Sequence, residues 1–369
     1  MKILIIAMPG CGNLGDDLIS EILQKCIVNR YPDAQLGILC GDSSSFNYET
    51  SAELLYYPRN IPGLFYNRSK RIKEFASTSN LVFVGGGGLF QDTHNYFTIH
   101  SYLHWLFYAH CPVYCVGMGV GPITHNTNIK YLHNLLNREG VNIQLRDLQS
   151  YQFLNKLGMS NIELSCDIVE GSLLPLKQLS TKKVVMGCSI REWTDLNFEH
   201  LINFLNEIIE KKKVEIVKFF AFEHKEETQI EFLYLKQIAS RLSTNTIVYA
   251  YGKDDCFLEE LCGVTFAIAS RYHANIIWQK LGVPVLPIPY APKVYSLYSK
   301  SGIDLKPFDS QDFCHSFVSI NLEETYNLPM IDFSRSISFT KAEKTLEFVY
   351  HLVYLFCSVI KSLLNRIRL

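Results

Sequence analysis

The sequence is short of charge and of any metal or disulfide pattern of cysteines. Charged residues are 19% of its 369 residues against 48% hydrophobic, which excludes a disordered chain and leaves ample material for buried sheets. A formal net charge of −1 gives no sequence-wide footprint for nucleic acid, so an anionic ligand needs a local cluster of cations. The eleven cysteines contain no C-x-x-C pair, and Cys111 and Cys115 have no His or Cys partners at zinc spacing. No metal site is therefore expected, and reduced, mostly buried thiols of a cytosolic protein fit best. No secretion signal is expected either: the apolar run over 1–8 stops at Pro9-Gly-Cys-Gly12 and reads as a first strand feeding a turn. No segment suits a membrane span. The longest apolar stretch, within 346–369, is shorter than the roughly 20 residues a span needs and is broken by Lys361.

What is present is chemistry gathered at strand ends. A short apolar strand over 266–269 runs into Ser270-Arg271-Tyr272-His273, after which Ile276, Ile277 and Leu281 resume a helical pattern. In an open α/β sheet the carboxyl end of a strand and the start of the next helix form the usual ligand site. Arginine offers a planar fork for carboxylate or phosphate there, and histidine a proton near neutral pH. The competing reading pairs Arg271 with a structural carboxylate and uses His273 as a helix cap.

The first strand leads into Pro9-Gly-Cys-Gly-Asn-Leu-Gly-Asp-Asp17 and a helix. Gly10, Gly12 and Gly15 fit G-x-G-x-x-G, and Asp33 lies at a tolerable distance, so a dinucleotide reading stays open. Asp16 and Asp17 at the helix start oppose a pyrophosphate, and a tight turn with one of them as cap is the alternative. A strand over 81–84 ends in Gly85-Gly-Gly-Gly-Leu-Phe-Gln-Asp92. Each glycine costs roughly 0.5–1 kcal/mol relative to alanine, so amides at Gly86, Gly87 and Gly88 open to an anion or a sugar ring are the functional reading. A third strand, over 113–117, ends in Gly117-Met-Gly-Val-Gly-Pro122. A fourth, over 142–145, stops at Arg146-Asp147, where ligand contact and a local ion pair fit equally. Asp167 follows another short apolar segment.

The second half repeats the rhythm after a linker near Pro175, with strands over 184–190, 214–222, 246–251, 266–270 and 283–289. Strand–helix alternation gives an α/β fold: two domains with parallel sheets and helices on both faces, facing across a cleft, over 1–175 and 182–335, then a C-terminal amphipathic helix over 340–369. Asn13, Gly86 and Arg146 are expected on one side, and Arg191, Arg271, His273 and Lys293 on the other. The C-terminal helix is expected to pack on the protein body, or to lie at a membrane interface helped by Lys361, Arg366 and Arg368.

In combination the motifs resemble the polysaccharide pyruvyl transferase family. They are Gly12-Asn-Leu-Gly-Asp16, Gly85-Gly-Gly-Gly-Leu-Phe-Gln-Asp92, Gly117-Met-Gly-Val-Gly-Pro122, Arg146-Asp-Leu-Gln-Ser150, Ser189-Ile-Arg191, Ser270-Arg-Tyr-His273 and Tyr290-Ala-Pro-Lys293, in the family's order over about 1–300. The resemblance implies two Rossmann-like domains in a glycosyltransferase-B-like arrangement, and transfer of pyruvate from phosphoenolpyruvate to a sugar as a ketal, in cell-surface glycan biosynthesis, with no cofactor. The acceptor is then a sugar or lipid-linked oligosaccharide, bound on the side of the first domain, and the donor belongs to the second. The enzyme is expected in the cytoplasm, free or peripheral at the inner face of the membrane.

A donor with adjacent carboxylate and phosphate needs several cations with forked geometry, which Arg271 and Arg191 supply, with Arg146 or Lys293 as a further cation and Ser270 beside them. His273 is the proton carrier. Asn13, Asp16, Gly86, Gly87, Gly88, Asp92 and Asp167 are left for the sugar, and no one of the three acids stands out as base. Competing readings are a nucleotide-sugar glycosyltransferase of the same architecture, a non-catalytic glycan-binding protein and, on the first loop alone, an NAD-dependent dehydrogenase.

Overall fold

In a computed structural model the described residues are 1–40, 50–57, 62–93, 96–174, 176–223, 229–313, 316–322 and 326–344. They form two compact units. The first takes Met1–Gly10, Ile19–Ile168 and the chain from Asn327 on; the second takes Cys11–Leu18 and Val169–Tyr326.

The first unit is built on seven parallel strands: β1 (Lys2–Ile6), β2 (Gln35–Cys40), β3 (Glu53–Tyr56), β4 (Leu81–Phe90), β5 (Val113–Val120), β6 (Val141–Leu145) and β7 (Ile162–Leu164). Their order is β3-β2-β1-β4-β5-β6-β7. The helices are α1 (Leu14–Arg30), α2 (Pro62–Ser77), α3 (Thr98–Leu103), α4 (Asn126–Leu136) and α5 (Leu148–Lys156). Strands buried on both faces read as unbroken apolar runs, as in Ile3-Leu-Ile-Ile6 of β1. Leu4, Val82, Val84 and Cys115 meet Phe75 of α2 and Leu132 of α4 in one core.

The run of four glycines does not end its strand. β4 continues through it to Phe90, with a register shift between Gly87 and Phe90. A Cβ on Gly85 would overlap Leu23, and one on Gly86 would overlap Ile19, so α1 lies directly on the bare backbone. Gly86 and Gly87 also take φ of +63° and +77°, a region that disfavours side chains. Both are buried and only Gly88 is half-exposed, so packing under α1 and local backbone shape explain Gly86 and Gly87 where amides open to a ligand had been expected.

The second unit has five parallel strands: β8 (Val185–Ser189), β9 (Ile216–Ala221), β10 (Asn245–Ala250), β11 (Phe266–Ala269) and β12 (Val285–Pro287), in the order β10-β9-β8-β11-β12. Its helices are α6 (Phe198–Lys212), α7 (Ile230–Ala239), α8 (Phe257–Cys262), α9 (Tyr272–Lys280) and α10 (Pro292–Ser299). Met186, Val217, Phe219 and Ile268 of the sheet pack with Leu201, Leu205 and Leu235 of the helices. In both units the central strands bury a thiol, Cys115 and Cys188, and burial pushes both thiols up, as suits inert core cysteines.

Two segments join units that their sequence neighbours do not predict. Cys11–Leu18 belongs with the second unit: Leu14 N–H donates to Phe222 O at 3.0 Å, and the Tyr251 hydroxyl donates to Asp17 at 2.9 Å. The chain from Asn327 belongs with the first unit, ahead of the expected limit at 335. Tyr114 ties it down, its hydroxyl donating to Met330 O at 3.1 Å and accepting from Asp332 N–H at 2.8 Å, while Ile337 enters the core. Among the described residues no helix is long and apolar enough to cross a membrane. The expected helix over 340–369 lies almost wholly outside the described residues, with 341–344 alone helical at its start.

Candidate active site

In the second unit, the carboxyl ends of β8 and β11 lie side by side. Ser270 is fully buried; its N–H donates to Ser189 O at 2.9 Å, and its hydroxyl accepts from Arg191 N–H at 2.8 Å. Ser270 thus holds the backbone that presents Arg191, whose side chain is half-buried.

Arg271, 8% exposed, turns its fork inward. Nε donates to Glu231 Oε1 at 2.8 Å and Nη2 to Glu231 Oε2 at 2.6 Å, with Glu223 Oε2 3.1 Å from the same nitrogen. Burial disfavours the guanidinium, but the charges and hydrogen bonds of Glu231, then Glu223, outweigh it and hold the pKa above its ordinary value. The bidentate edge expected for a ligand is thus taken by Glu231, which leaves Nη1 as the part of the fork with no hydrogen bond among the described residues. Glu231 also accepts Glu223 N–H at 2.8 Å, so one carboxylate binds the end of β9 to Arg271.

His273 stands in the first turn of α9 and its ring lies on Gly15. A Cβ built at Gly15 would overlap the imidazole, meeting Nδ1 first and lying 2.6 Å from Cγ. The loop is shaped by Asn13, whose Oδ1 accepts Gly15 N–H at 2.9 Å and whose backbone bridges to Glu223. Asn13, directly before α1, thus occupies the capping place expected of Asp16 or Asp17; those two sit in the first turn. With imidazole filling the space at Gly15, the third glycine of the apparent dinucleotide fingerprint has a reason unrelated to pyrophosphate.

Tyr290 gathers the cations. Its ring lies 6.0 Å from that of Trp193, and Lys293 Nζ is 5.9 Å from its centroid. Burial pushes the phenol up, yet the charges of Lys293, Arg271 and Arg191, with a Lys293 hydrogen bond, outweigh burial and hold it below its ordinary value. Lys293, Arg271 and Arg191 thus all favour the ionised phenol.

In the first unit, Arg146 and Asp167 are both buried and meet each other, Nη1 donating to Oδ2 at 2.9 Å. Gly119 makes room, since a Cβ there would sit 2.7 Å from Nε and Nη2 of Arg146. Asp147 both pairs and caps: its Oδ2 lies 3.8 Å from Arg146 Nε, and at the start of α5 it accepts Ser150 N–H at 2.8 Å and the Ser150 hydroxyl at 2.9 Å. Asp92 is 2% exposed and receives hydrogen bonds from Thr124, His125 and Asn128. Its lone pairs are filled by the protein, which removes it as a direct sugar ligand.

A model of the polysaccharide pyruvyl transferase family matches residues 13–292. The chain belongs to the polysaccharide pyruvyl transferase family. No curated protein gives a significant match. Among solved structures, the UDP-GlcNAc 2-epimerase of Methanocaldococcus jannaschii is similar with a TM-score of 0.54 at 14% identity, over 83% of this chain and 88% of that one. S. aureus MnaA, solved with UDP, gives 0.51 at 10% identity, over 79% and 80%. A UDP-N-acetylglucosamine 2-epimerase from Listeria monocytogenes, described as provisional in function, gives 0.51 at 12%, over 79% and 80%. At such identities the likeness is one of fold: two parallel-sheet α/β domains.

For this pyruvyl transferase family member, sequence reasoning placed Arg191, Ser270, Arg271 and His273 in the second domain and Asn13 in the first; the structure instead groups Asn13 with the other four, on the loop that packs against the ends of β9 and α9. It passed over Glu231, Tyr290 and His125. Tyr290 was within reach, one turn before Lys293 at the head of α10. Glu231 and His125 carried no local signal, because their partners are 40 and 33 residues away.

Proposed function

We propose that this chain transfers the pyruvyl group of phosphoenolpyruvate to two hydroxyls of one sugar, in a polysaccharide or its lipid-linked precursor, as a ketal. The reading rests on family membership, and the observation that supports it is the placement of Arg191, Arg271 and His273 at the adjoining carboxyl ends of β8 and β11, with Lys293 beside the Tyr290 ring. Arg191 and Lys293 bind the donor's carboxylate and phosphate, and Nη1 of Arg271 adds a donor from the side. His273 gives a proton to the methylene carbon as a first sugar hydroxyl bonds to the adjacent carbon. The second hydroxyl then bonds to that carbon and phosphate leaves with the C–O electron pair. Of the two hydroxyl protons, one restores the imidazole and one departs with phosphate, so the sum is methylene to methyl, two C–O bonds made and phosphate released.

Thermal melting with phosphoenolpyruvate or with UDP-sugars, and phosphate release over a panel of glycosides, test the proposal together. Protection by phosphoenolpyruvate and acceptor-dependent phosphate release are expected. Protection by a UDP-sugar alone would turn the assignment to glycosyl transfer. Binding of saccharide with no phosphate release from any glycoside would leave a glycan-binding protein.

A further inference from the structure

β4 and β5 are neighbours, and their carboxyl ends lead into Asp92 and into the turn before α4. The bonds to Asp92 fix the imidazole of His125. Oδ1 accepts Thr124 N–H at 2.6 Å and the Thr124 hydroxyl at 2.9 Å; Oδ2 accepts His125 N–H at 3.1 Å and Asn128 Nδ2 at 2.9 Å, and lies 2.9 Å from His125 Nδ1. Burial pushes this carboxyl up, but the Thr124, Asn128 and His125 hydrogen bonds outweigh it and hold it well below the usual carboxylate range.

An ionised carboxylate only accepts, so Nδ1 must carry a hydrogen. The Thr124 hydroxyl, 3.0 Å from Nδ1, gives its own hydrogen to Asp92 and leads to the same assignment. In the neutral ring the lone pair is therefore on Nε2. The His125 side chain is 49% exposed, and Nε2 has no hydrogen bond among the described residues. Tyr96 holds the ring from the side, edge-on at 5.0 Å, with its own hydroxyl donating to Thr127 at 3.0 Å. The result is a buried carboxylate, an oriented imidazole and an outward lone pair, bordered by the half-exposed ring of Tyr96, itself 4.9 Å from that of Phe97. Aromatic rings with polar tips suit a sugar, which has both C–H faces and hydroxyls.

We propose that Asp92 and His125 form a proton-accepting site for a saccharide hydroxyl. Nε2 takes the proton that later departs with phosphate, the O–H electron pair stays on oxygen, and the Asp92 carboxylate offsets the charge of the imidazolium meanwhile. His125 touches the substrate; Asp92 is a positioning residue. What the oxygen then bonds to rests on the pyruvyl-transfer reading.

The test begins with ¹⁵N shifts of the His125 ring in the wild-type protein, where the Nδ1–H form is expected and a predominant Nε2–H form overturns the proposal. Methyl glucoside, methyl galactoside and methyl mannoside are then added without phosphoenolpyruvate. At least one should shift the Nε2 signal, and no change with all three overturns the saccharide assignment. In phosphate release, His125→Gln, an exposed change checked by melting, should lower turnover by roughly 10²–10⁴-fold with unchanged thermal protection by phosphoenolpyruvate. Asp92→Asn should move the ring towards Nε2–H and lower turnover likewise, and where it unfolds the protein, His125→Gln decides. Wild-type turnover in His125→Gln overturns the proton-accepting role and leaves pyruvyl transfer standing. A saccharide-induced shift at Nε2 with no phosphate release from any glycoside supports the binding site and removes the transfer reading.

Discussion

Replacing Gly15 by alanine tests the contact between the first loop and His273. The change adds one methyl group, at a place where it would lie 2.6 Å from His273 Cγ and closer to Nδ1. Carbon contacts are comfortable at about 3.5–4.0 Å, so the imidazole or the loop must retreat by about 1 Å. Overpacking of this kind costs about 1–3 kcal/mol. Alanine in a helix gains about 1 kcal/mol over glycine, and Gly15 lies in the first turn of α1 at no left-handed φ. The net loss of stability is then about 0–2 kcal/mol, a fall of a few degrees in Tm. The effect on turnover is much larger, since a displacement of about 1 Å at a reacting group costs on the order of 10²-fold.

Phosphate release and melting curves for Gly15→Ala, His273→Gln and the double variant separate the two effects. Turnover of Gly15→Ala should fall about 10²-fold with a small change in Tm, and the same substitution in the His273→Gln background should cost little more, because both act through one ring. Full turnover in folded Gly15→Ala protein, or losses that simply multiply in the double variant, would refute the reasoning.

Arg271→Lys keeps the charge but cannot make the paired bonds to Glu231, so buried acceptors lose donors and stability should fall by about 1–3 kcal/mol; an unchanged Tm with only a raised donor KM would return the fork to the ligand. The Tyr290 phenol is held below its ordinary 10.0, so its contribution to stability is present above about pH 10 and is lost as pH falls through the lower folded value. Tyr290→Phe should flatten the alkaline limb of Tm against pH, and superimposable profiles would count against the cation cluster. Asp92, depressed from 3.8, stabilises the first unit above about pH 4 and loses that contribution as pH falls further; Asp92→Asn should weaken the acid dependence of melting, and an unaltered acid limb would show that its bonds are already broken.

Much of the fold was legible because burial on both faces writes itself as apolar runs. Ile3-Leu-Ile-Ile6 and Phe266-Ala-Ile-Ala269 need no partner to be recognised as central parallel strands. The glycines misled for a local reason. Four in a row read as a break in β4, whereas in space they are where Leu23 and Ile19 of α1 press on a strand that goes on. A missing side chain looks the same in sequence whether a ligand or a helix fills its place. The attachment of Cys11–Leu18 to the second unit was equally hidden, since it depends on Phe222, Tyr251 and His273 more than 200 residues away.

Arg271 shows how such distant partners change the meaning of a motif. Read alone, an arginine between a strand end and a helix, two residues before a histidine, is the natural anion ligand. With Glu231 on its bidentate edge and Glu223 on the same nitrogen, two acids face its one positive charge, and what it offers an incoming anion is much reduced. The charge left for a ligand in this unit lies on Arg191 and Lys293, where the backbone of Arg191 is set by buried Ser270 and Lys293 is set by Tyr290. Arg271 then acts chiefly as a buttress that joins the ends of β9 and β11 and the start of α7, and so keeps the helix that carries His273 in a fixed place. The motif is one structural device: Ser270 and Arg271 hold the frame, and in the proposed transfer His273 and the neighbouring cations act within it.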